Sequence, residues 1–458
     1  MQLGPFTAGR TKARSQQYKQ GRRAQMVAMG DAKRWIQSQV KGVLRRMPRT
    51  RMAIRQARWD INRERYVRLA ARVRTDARCI LFDSFMGRSV ACSPKAIYEA
   101  ICADARFNGY ELWWALLPEA AARHEGDPLL SRAHVVDRTS ADYRRLMARA
   151  GTIFTNSMTD AAIIPKSDQT YVQCWHGTPL KRLGLSIDIE QRGITTQENT
   201  MRYGIEAAKM SYLLSPSAYT TQHLSDAFGF TPDERAAKVL QLGYPRNDRV
   251  ARACADDALM ATERARILRD LGIAADDGRR LLLYAPTFRE SDYKPGVGYV
   301  MDALVDFDEL RRALGDGWQV LFRPHYFVAQ SFDFSRYGDF VVNAADVEDV
   351  NDLYLAADAL LTDYSSVFYD YSVTGRPILF FWPDFDTYRD ELRGFYADPH
   401  GLPGPKCQTT AQVADALAGI DSWQDTYGDA YAAFRQTYVP LDDGYAAERV
   451  VARLFGDA

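Results

Sequence analysis

The chain has 458 residues, 47% hydrophobic and 12% aromatic, enough apolar matter for two or three packed domains and too much for a disordered chain. Its formal net charge of +1 conceals an asymmetry, because residues 1–78 carry 21 Lys/Arg against 4 Asp/Glu and the remainder carries 38 against 54. The six cysteines are scattered with no C-x-x-C pair, which argues against a disulfide framework or zinc cluster and for a reducing compartment.

The first residues hold no apolar leader, and no run of about 18 apolar residues occurs, so neither a classical secretion signal nor a membrane-spanning helix is expected. Residues 1–30 are polar, basic and unpatterned, the composition of a disordered segment. Over residues 31–47, Trp35, Ile36, Val40, Val43, Leu44 and Met47 recur at helical spacing between Lys33, Arg34, Lys41, Arg45 and Arg46, which predicts a basic amphipathic helix. An Arg-rich stretch follows Pro48 as far as Arg74, so residues 1–77 read as a basic arm, partly disordered and partly helical. Three roles compete for it: a solvated or packing arm, a contact with an anionic membrane surface, and a nucleic-acid contact. The last ranks lowest, since the arm has no helix-turn-helix, zinc-finger or RNA-binding sheet signature.

From residue 78 the pattern changes to short apolar strands alternating with helices. Strands are expected at 79–82, 112–117, 133–136, 152–155, 171–175, 212–214 and 239–242, with a helix over 94–105. Residues 248–277 are charged, Ala-rich and helical, a bridge to a second set of strands at 281–284, 319–322, 340–342, 359–361 and 377–381. A helix is expected over 367–374, stopped by Gly375 and Pro377, and residues 411–455 read as helical. The fold class is therefore α/β, with two doubly wound, Rossmann-like domains at 78–249 and 250–458 and a ligand cleft at the carboxyl ends of their strands.

The residues that carry chemistry sit at those strand ends. Val172 to Trp175 runs straight into His176 and Gly177, placing an imidazole, the natural proton acceptor near neutral pH, where an α/β protein puts its site. Gly177 lets a ligand approach the backbone, and Lys181 is a candidate phosphate partner. Leu321-Phe322 delivers Arg323 and His325 two residues apart on one face, a guanidinium and an imidazole suited to a phosphate or a leaving-group oxygen. Thr362 to Ser366 are turn and cap residue types between a strand and a helix, where unpartnered backbone N–H groups and the helix dipole favour an anion; Ser365 and Ser366 could equally be plain helix caps. Arg246 in Gly243 to Asp248, Pro286-Thr287 in Tyr284 to Arg289, and Arg393 in Arg393-Gly394-Phe395-Tyr396 likewise follow strands. No G-x-x-x-x-G-K-[ST] loop, no clear G-x-G-x-x-G fingerprint and no H-E-x-x-H motif occurs, which removes the main support for kinase, dehydrogenase and metal-hydrolase readings.

With these motifs in this order the sequence resembles the CDP-glycerol glycerophosphotransferase family, the teichoic-acid and capsule polyol-phosphate transferases of bacteria. The match runs over about residues 79–402 and rests on Trp175-His176-Gly177-Thr178, Pro245-Arg246-Asn247-Asp248, Ala285-Pro286-Thr287, Arg323-Pro324-His325, Thr362-Asp363-Tyr364-Ser365-Ser366 and Arg393-Gly394-Phe395. The resemblance implies a GT-B-like architecture with the nucleotide on the C-terminal domain and the acceptor on the N-terminal one. It implies attack of an acceptor hydroxyl on the β-phosphorus of CDP-glycerol with release of CMP. Carried over, His176 is the base, and His325, Arg323, Ser365 and Ser366 are the diphosphate clamp. Asp370 would face the glycerol or phosphate region, and Arg246, Pro286 and Thr287 would line the donor pocket, with Arg393 also in the substrate-binding set. The segment 348–352, with Glu348 and Asp349, would meet the cytosine end, and Gly177, Thr178 and Lys181 are also in the substrate-binding set.

No cofactor or metal is implied, consistent with phosphoryl transfer in which Arg, His and a helix terminus carry the charge. The implied partners are CDP-glycerol, a lipid-linked saccharide or polymer and, through the basic arm, an anionic membrane surface, with nucleic acid disfavoured. The implied location is the cytoplasmic face of the cell membrane, held peripherally. CDP-ribitol or another CDP-polyol remains an alternative donor, a nucleotide-sugar glycosyltransferase of the same fold an alternative enzyme, and primase versus polymerase stays open.

Overall fold

The computed structural model describes residues 48–187, 196–274, 278–287, 293–294, 298–299, 305–324, 332–385 and 394–456. The expectations for residues 1–47, for His325 and for Arg393 lie outside these residues. The chain divides at Asn62–Arg63, and the sheets and site described below belong to the unit Arg63–Ala458.

Seven parallel strands form the first sheet: β1 (Asp76–Asp83), β2 (Glu111–Leu116), β3 (Ala133–Asp137), β4 (Ala150–Thr155), β5 (Thr170–Gln173), β6 (Tyr212–Ser215) and β7 (Val239–Gln241), in the order β3-β2-β1-β4-β5-β6-β7. The second sheet has β8 (Arg280–Ala285), β11 (Trp318–Phe322), β12 (Val341–Asn343), β13 (Ala359–Thr362), β14 (Ile378–Phe381) and β15 (Lys406–Cys407), in the order β12-β11-β8-β13-β14-β15 and also parallel. Between β8 and β11 in sequence, β9 (Tyr293–Lys294) and β10 (Gly298–Tyr299) make a small antiparallel hairpin.

The strands are apolar runs because helices cover both faces; Leu282, Leu283, Leu360 and Leu361 are fully buried, as central strands of a parallel sheet must be. Each parallel step needs a crossover, and in both halves the strand order reverses beside the first strand, β1 or β8, so the carboxyl ends there open into a crevice. The expected α/β class and its two parallel sheets are thus what the chain forms.

Several local expectations shift. The strand expected over 171–175 ends at Gln173, because Trp175 has φ of 52° and cannot continue extended backbone. The helical bridge over 248–277 breaks into Asp248–Ala255 and Asp257–Asp270, since Asp256 is extended and its carboxylate accepts from the N–H groups of Ala258 and Leu259. β15, two residues long, has no periodic signature and was not expected. The Arg-rich stretch after Pro48 is helical over Pro48–Ala70, and Tyr66 and Ala70 are buried against the first sheet. The last helix, Ala446–Phe455, crosses back to pack Val450 and Val451 into the core on the other face of that sheet.

Candidate active site in the cleft

β5 delivers His176 to the cleft through a strained turn. Trp175 N–H donates to Gln173 Oε1 at 3.0 Å, which braces the left-handed residue, and Gln173 Nε2 is itself held by Glu206 at 3.1 Å. The His176 ring stacks on Trp175 with centroids 4.4 Å apart, and the Phe85 ring lies 6.3 Å from it. His176 Nδ1 lies 2.7 Å from the main-chain oxygen of Asn156, at the end of β4. A carbonyl only accepts, so this contact places the proton on Nδ1 and leaves the Nε2 lone pair unprotonated. The ring is exposed on its cleft side but walled by protein elsewhere; that enclosure pushes its pKa below the usual histidine value, and Arg246 nearby adds to the effect. The imidazole is therefore held neutral, in the tautomer of a proton acceptor.

Directly opposite, β13 ends in Asp363-Tyr364-Ser365-Ser366. A Cβ built on Gly177 would lie 2.9 Å from Ser366 Oγ and 3.9 Å from Arg246 Nη2, so the His176-Gly177 turn, Ser366 and Arg246 meet at one point. Gly177 was expected to admit a ligand; here the close neighbour is Ser366. Ser366 stands at the N-cap of the helix Val367–Tyr371 but has helical φ and ψ and makes no cap bond, while Val367 N–H reaches Ser365 Oγ only at 3.4 Å. Both serines are partly exposed, so capping leaves their hydroxyls open to the cleft. The helix is five residues long, so the dipole contributes little and the hydroxyls and nearby guanidiniums must carry any anion binding. Asp363 accepts from Thr287 N–H at 2.7 Å, joining the Pro286-Thr287 turn after β8 to the serine turn after β13.

Asp370 is 6% exposed and held by protein groups. It is buried against Arg246, Nη2 to Oδ1 at 2.5 Å, with Asn247 Nδ2 as a second donor at 3.2 Å. Burial pushes the Asp370 carboxyl up; on Arg246 burial acts downward, and Asp370 together with Cys92, Tyr244 and Tyr354 more than offsets it. At that separation, with a second donor in place, the ionised pair is the state the geometry fits. Asn247 also donates to Asp442 at 2.7 Å, and burial holds the Asp442 carboxyl up to about 7.

The remaining candidates divide. Arg323 follows β11 and lines a cavity of about 660 Å³ with Pro324, Phe85, Arg88, Ser89, Arg123 and the stretch 345–348. Its Nη1 is fixed by the carbonyls of Ala344 and Val347, at 3.1 and 2.6 Å, and burial holds its pKa below the ordinary arginine value. Glu348, which lines that cavity, and Asp349, both expected at a cytosine, are held by residues of the first half of the chain: Glu348 accepts from Val90 N–H at 2.8 Å and meets His124 at 2.9 Å, and Asp349 pairs with Lys95 at 3.0 Å. Thr178 is 1% exposed and its hydroxyl accepts from Thr220 Oγ1 at 3.4 Å. Lys181 forms a β-bridge with Phe395, flanked by Arg182 N–H to Gly394 O at 2.9 Å. Asn156, which orients His176, and Asp442, which closes the Arg246 network, were missed. Asn156 had a signal, as a polar residue just past the end of a buried strand, but Asp442 had none.

Comparison with known proteins completes the picture. The family model of CDP-Glycerol:Poly(glycerophosphate) glycerophosphotransferase matches residues 65–456. The chain belongs to this family. It is 35% identical over 381 residues to the teichoic acid glycerol-phosphate transferase of Staphylococcus aureus, covering 82% of this chain and 92% of that one. To the teichoic acid poly(glycerol phosphate) polymerase of Bacillus subtilis it is 33% identical over 392 residues, 84% of this chain but only 50% of the polymerase. Among solved structures, the wall teichoic acid polymerase TagF, in a variant soaked with CDPG, superposes with a TM-score of 0.76 at 30% identity, covering 87% of this chain and 93% of that one. The family places its members among the glycerophosphotransferases, and the two parallel sheets are the framework shared with TagF.

Proposed function

We propose that this chain transfers glycerol phosphate from CDP-glycerol to a hydroxyl of a teichoic-acid or capsule-type acceptor and releases CMP. The observation that carries the reading is the neutral His176, with Nδ1–H on the Asn156 carbonyl and its Nε2 lone pair at the cleft. Nε2 takes the proton of the acceptor hydroxyl, the oxygen forms a bond to the β-phosphorus, and the bond from that phosphorus to the bridging oxygen breaks, the electron pair leaving with CMP. Arg323, Ser365 and Ser366, with His325 and Arg393, hold the diphosphate and stabilise charge on its oxygens, a role assigned here to guanidinium, imidazole and hydroxyl groups without a cation. Arg246, paired to Asp370, braces the Ser366 side of the cleft. In this reading residues 78–249 hold the acceptor and 250–458 the nucleotide.

The acceptor is membrane-linked, and residues 1–77 attach the protein to the anionic inner surface; their basic excess supports this. Among the described residues no helix is long and apolar enough to cross a membrane. Incubation with CDP-glycerol or CDP-ribitol and a lipid-linked acceptor, read as CMP release with and without EDTA, tests the proposal. Absence of CMP with every CDP-polyol, or release only from UDP-sugars of UDP, sinks it. Loss of activity in EDTA removes the metal-free clamp alone.

A further inference from the structure

The turn after β1 carries the most strained backbone among the described residues. Phe85, Met86 and Gly87 follow one another with φ of 47°, 58° and 77°. Only glycine adopts such angles freely, so two successive side-chain-bearing residues are held there against steric resistance. Strain of this kind persists only where the surroundings over-determine it. Here Asn156 Oδ1 accepts from Phe85 N–H at 2.7 Å, Leu117 N–H donates to Gly87 O at 2.7 Å, and Arg123 Nη2 donates to Arg88 O at 2.7 Å.

The turn brings Arg88 and Ser89 to the wall of the 660 Å³ cavity that Arg323 also lines. Among the described residues no hydrogen bond or ion pair engages the exposed Arg88 guanidinium. Ser89 is 8% exposed, and its hydroxyl, also on the cavity wall, has no partner among the described residues. Two carboxylates share the cavity. Glu348 is taken up by Val90 N–H and His124, with Arg123 at 3.8 Å, and Asp346 is exposed. Arg88, Arg123 and Arg323 then leave the cavity suited to an anion.

The turn and the proposed base share one support. Asn156 accepts from Phe85 N–H through its side chain and faces His176 Nδ1 through its main-chain oxygen, each at 2.7 Å. A ligand group held by this turn is therefore fixed relative to His176, and the substrate that must be fixed relative to the base is the acceptor. We propose that Arg88 and Ser89 bind a phosphate of the acceptor chain, a phosphomonoester or phosphodiester beside the attacking hydroxyl. The inference rests on the phosphotransfer reading and deepens it: anion binding in the cleft divides between donor phosphates at Ser365, Ser366 and Arg323 and an acceptor phosphate at Arg88 and Ser89.

The test uses the full chain and two variants, Arg88→Gln and Ser89→Ala, with glycerophosphoglycerol as a probe of the phosphodiester and CDP-glycerol as a probe of the donor site. Calorimetry gives both affinities, steady-state CMP release gives the acceptor KM, and thermal melting checks folding. Loss of a charge-assisted contact predicts that Arg88→Gln raises the Kd for glycerophosphoglycerol and the acceptor KM about 10-fold to 100-fold. Ser89→Ala, which keeps the charge, raises both about threefold to tenfold. The Kd for CDP-glycerol stays within about twofold, because both variants leave the donor clamp of Arg323, Ser365 and Ser366 unaltered, although Arg323 lines the same cavity. A parallel rise in the CDP-glycerol Kd assigns these residues to the donor and overturns the proposal. So does an unchanged Kd for the phosphodiester in both variants, or no binding of it by the unaltered chain. Failure of the unaltered chain to release CMP would count against the phosphotransfer reading, while the glycerophosphoglycerol titration would still decide the fate of Arg88 and Ser89.

Discussion

Gly177→Ala places one methyl group where the two halves of the cleft touch. The new carbon would stand 2.9 Å from Ser366 Oγ, 3.6 Å from Ser366 Cβ and 3.9 Å from Arg246 Nη2. Carbon settles at about 3.5–4.0 Å from its neighbours, so the hydroxyl must swing away or the turn recede by roughly half an ångström. Gly177 is not among the glycines with left-handed φ, so the penalty is steric alone. Overpacking costs about 1–3 kcal/mol, and a serine that can rotate puts this case near the lower end in stability. Turnover is more sensitive, because the same shift moves Ser366 away from where His176 faces it; a loss of about 10-fold to 100-fold in kcat is expected. CMP release from CDP-glycerol measures kcat and KM, and melting measures stability. Ser366→Gly restores the space, so in the double-mutant cycle the two changes should couple by about 1 kcal/mol or more. Wild-type turnover by Gly177→Ala, or additivity to within about 0.5 kcal/mol, would refute the contact as a determinant of the site.

Other expectations follow from the same geometry. His176→Ala should abolish transfer while CDP-glycerol still binds, and a matching loss of donor affinity would make His176 a donor ligand instead. Because enclosure lowers the His176 pKa, the acid limb of kcat/KM should fall below the ordinary histidine value of 6.5; a limb at or above it would contradict the neutral base. Asp370→Ala strands Arg246 as a buried cation, so denaturant unfolding should reveal a loss of about 3–5 kcal/mol, and a change under about 1 kcal/mol would deny the pair its structural role. Asp442 is held up to about 7 against an ordinary 3.8, so the folded state keeps a proton that the unfolded chain releases. Its contribution is complete below the lower value and lost as pH rises through the upper one. Asp442→Asn should therefore flatten the fall in melting temperature between about pH 4 and 7.5, and equal slopes in the two proteins would dismiss the linkage. Removal of residues 1–62, which leaves the buried Tyr66 and Ala70 in place, should release the protein from anionic vesicles, and undiminished pelleting would rule out the arm as the anchor.

The α/β class, the strands and the positions of His176, Arg323 and Ser366 at strand ends were legible in the sequence, because each is a local signal. Apolar runs of strand length alternate with helical periods, and the residue just past such a run stands at the carboxyl edge of a parallel sheet whatever the rest of the chain does. Side-chain partners were not legible, because they join residues far apart in sequence with no shared period. Asp370 binds Arg246 across 124 positions, and Glu348 reaches His124 across 224. Hence a motif aspartate became the partner of a buried arginine, and two acidic residues expected at a base also meet Val90, Lys95 and His124 from the first half of the chain. The left-handed turn at Phe85 to Gly87 was equally hidden, since φ there is imposed by Asn156, Leu117 and Arg123 from other elements, against the local preference of Phe85 and Met86. Local chemistry determined which strand ends carry reactive groups; only tertiary packing decided which of those groups are held by protein and which remain open to a ligand.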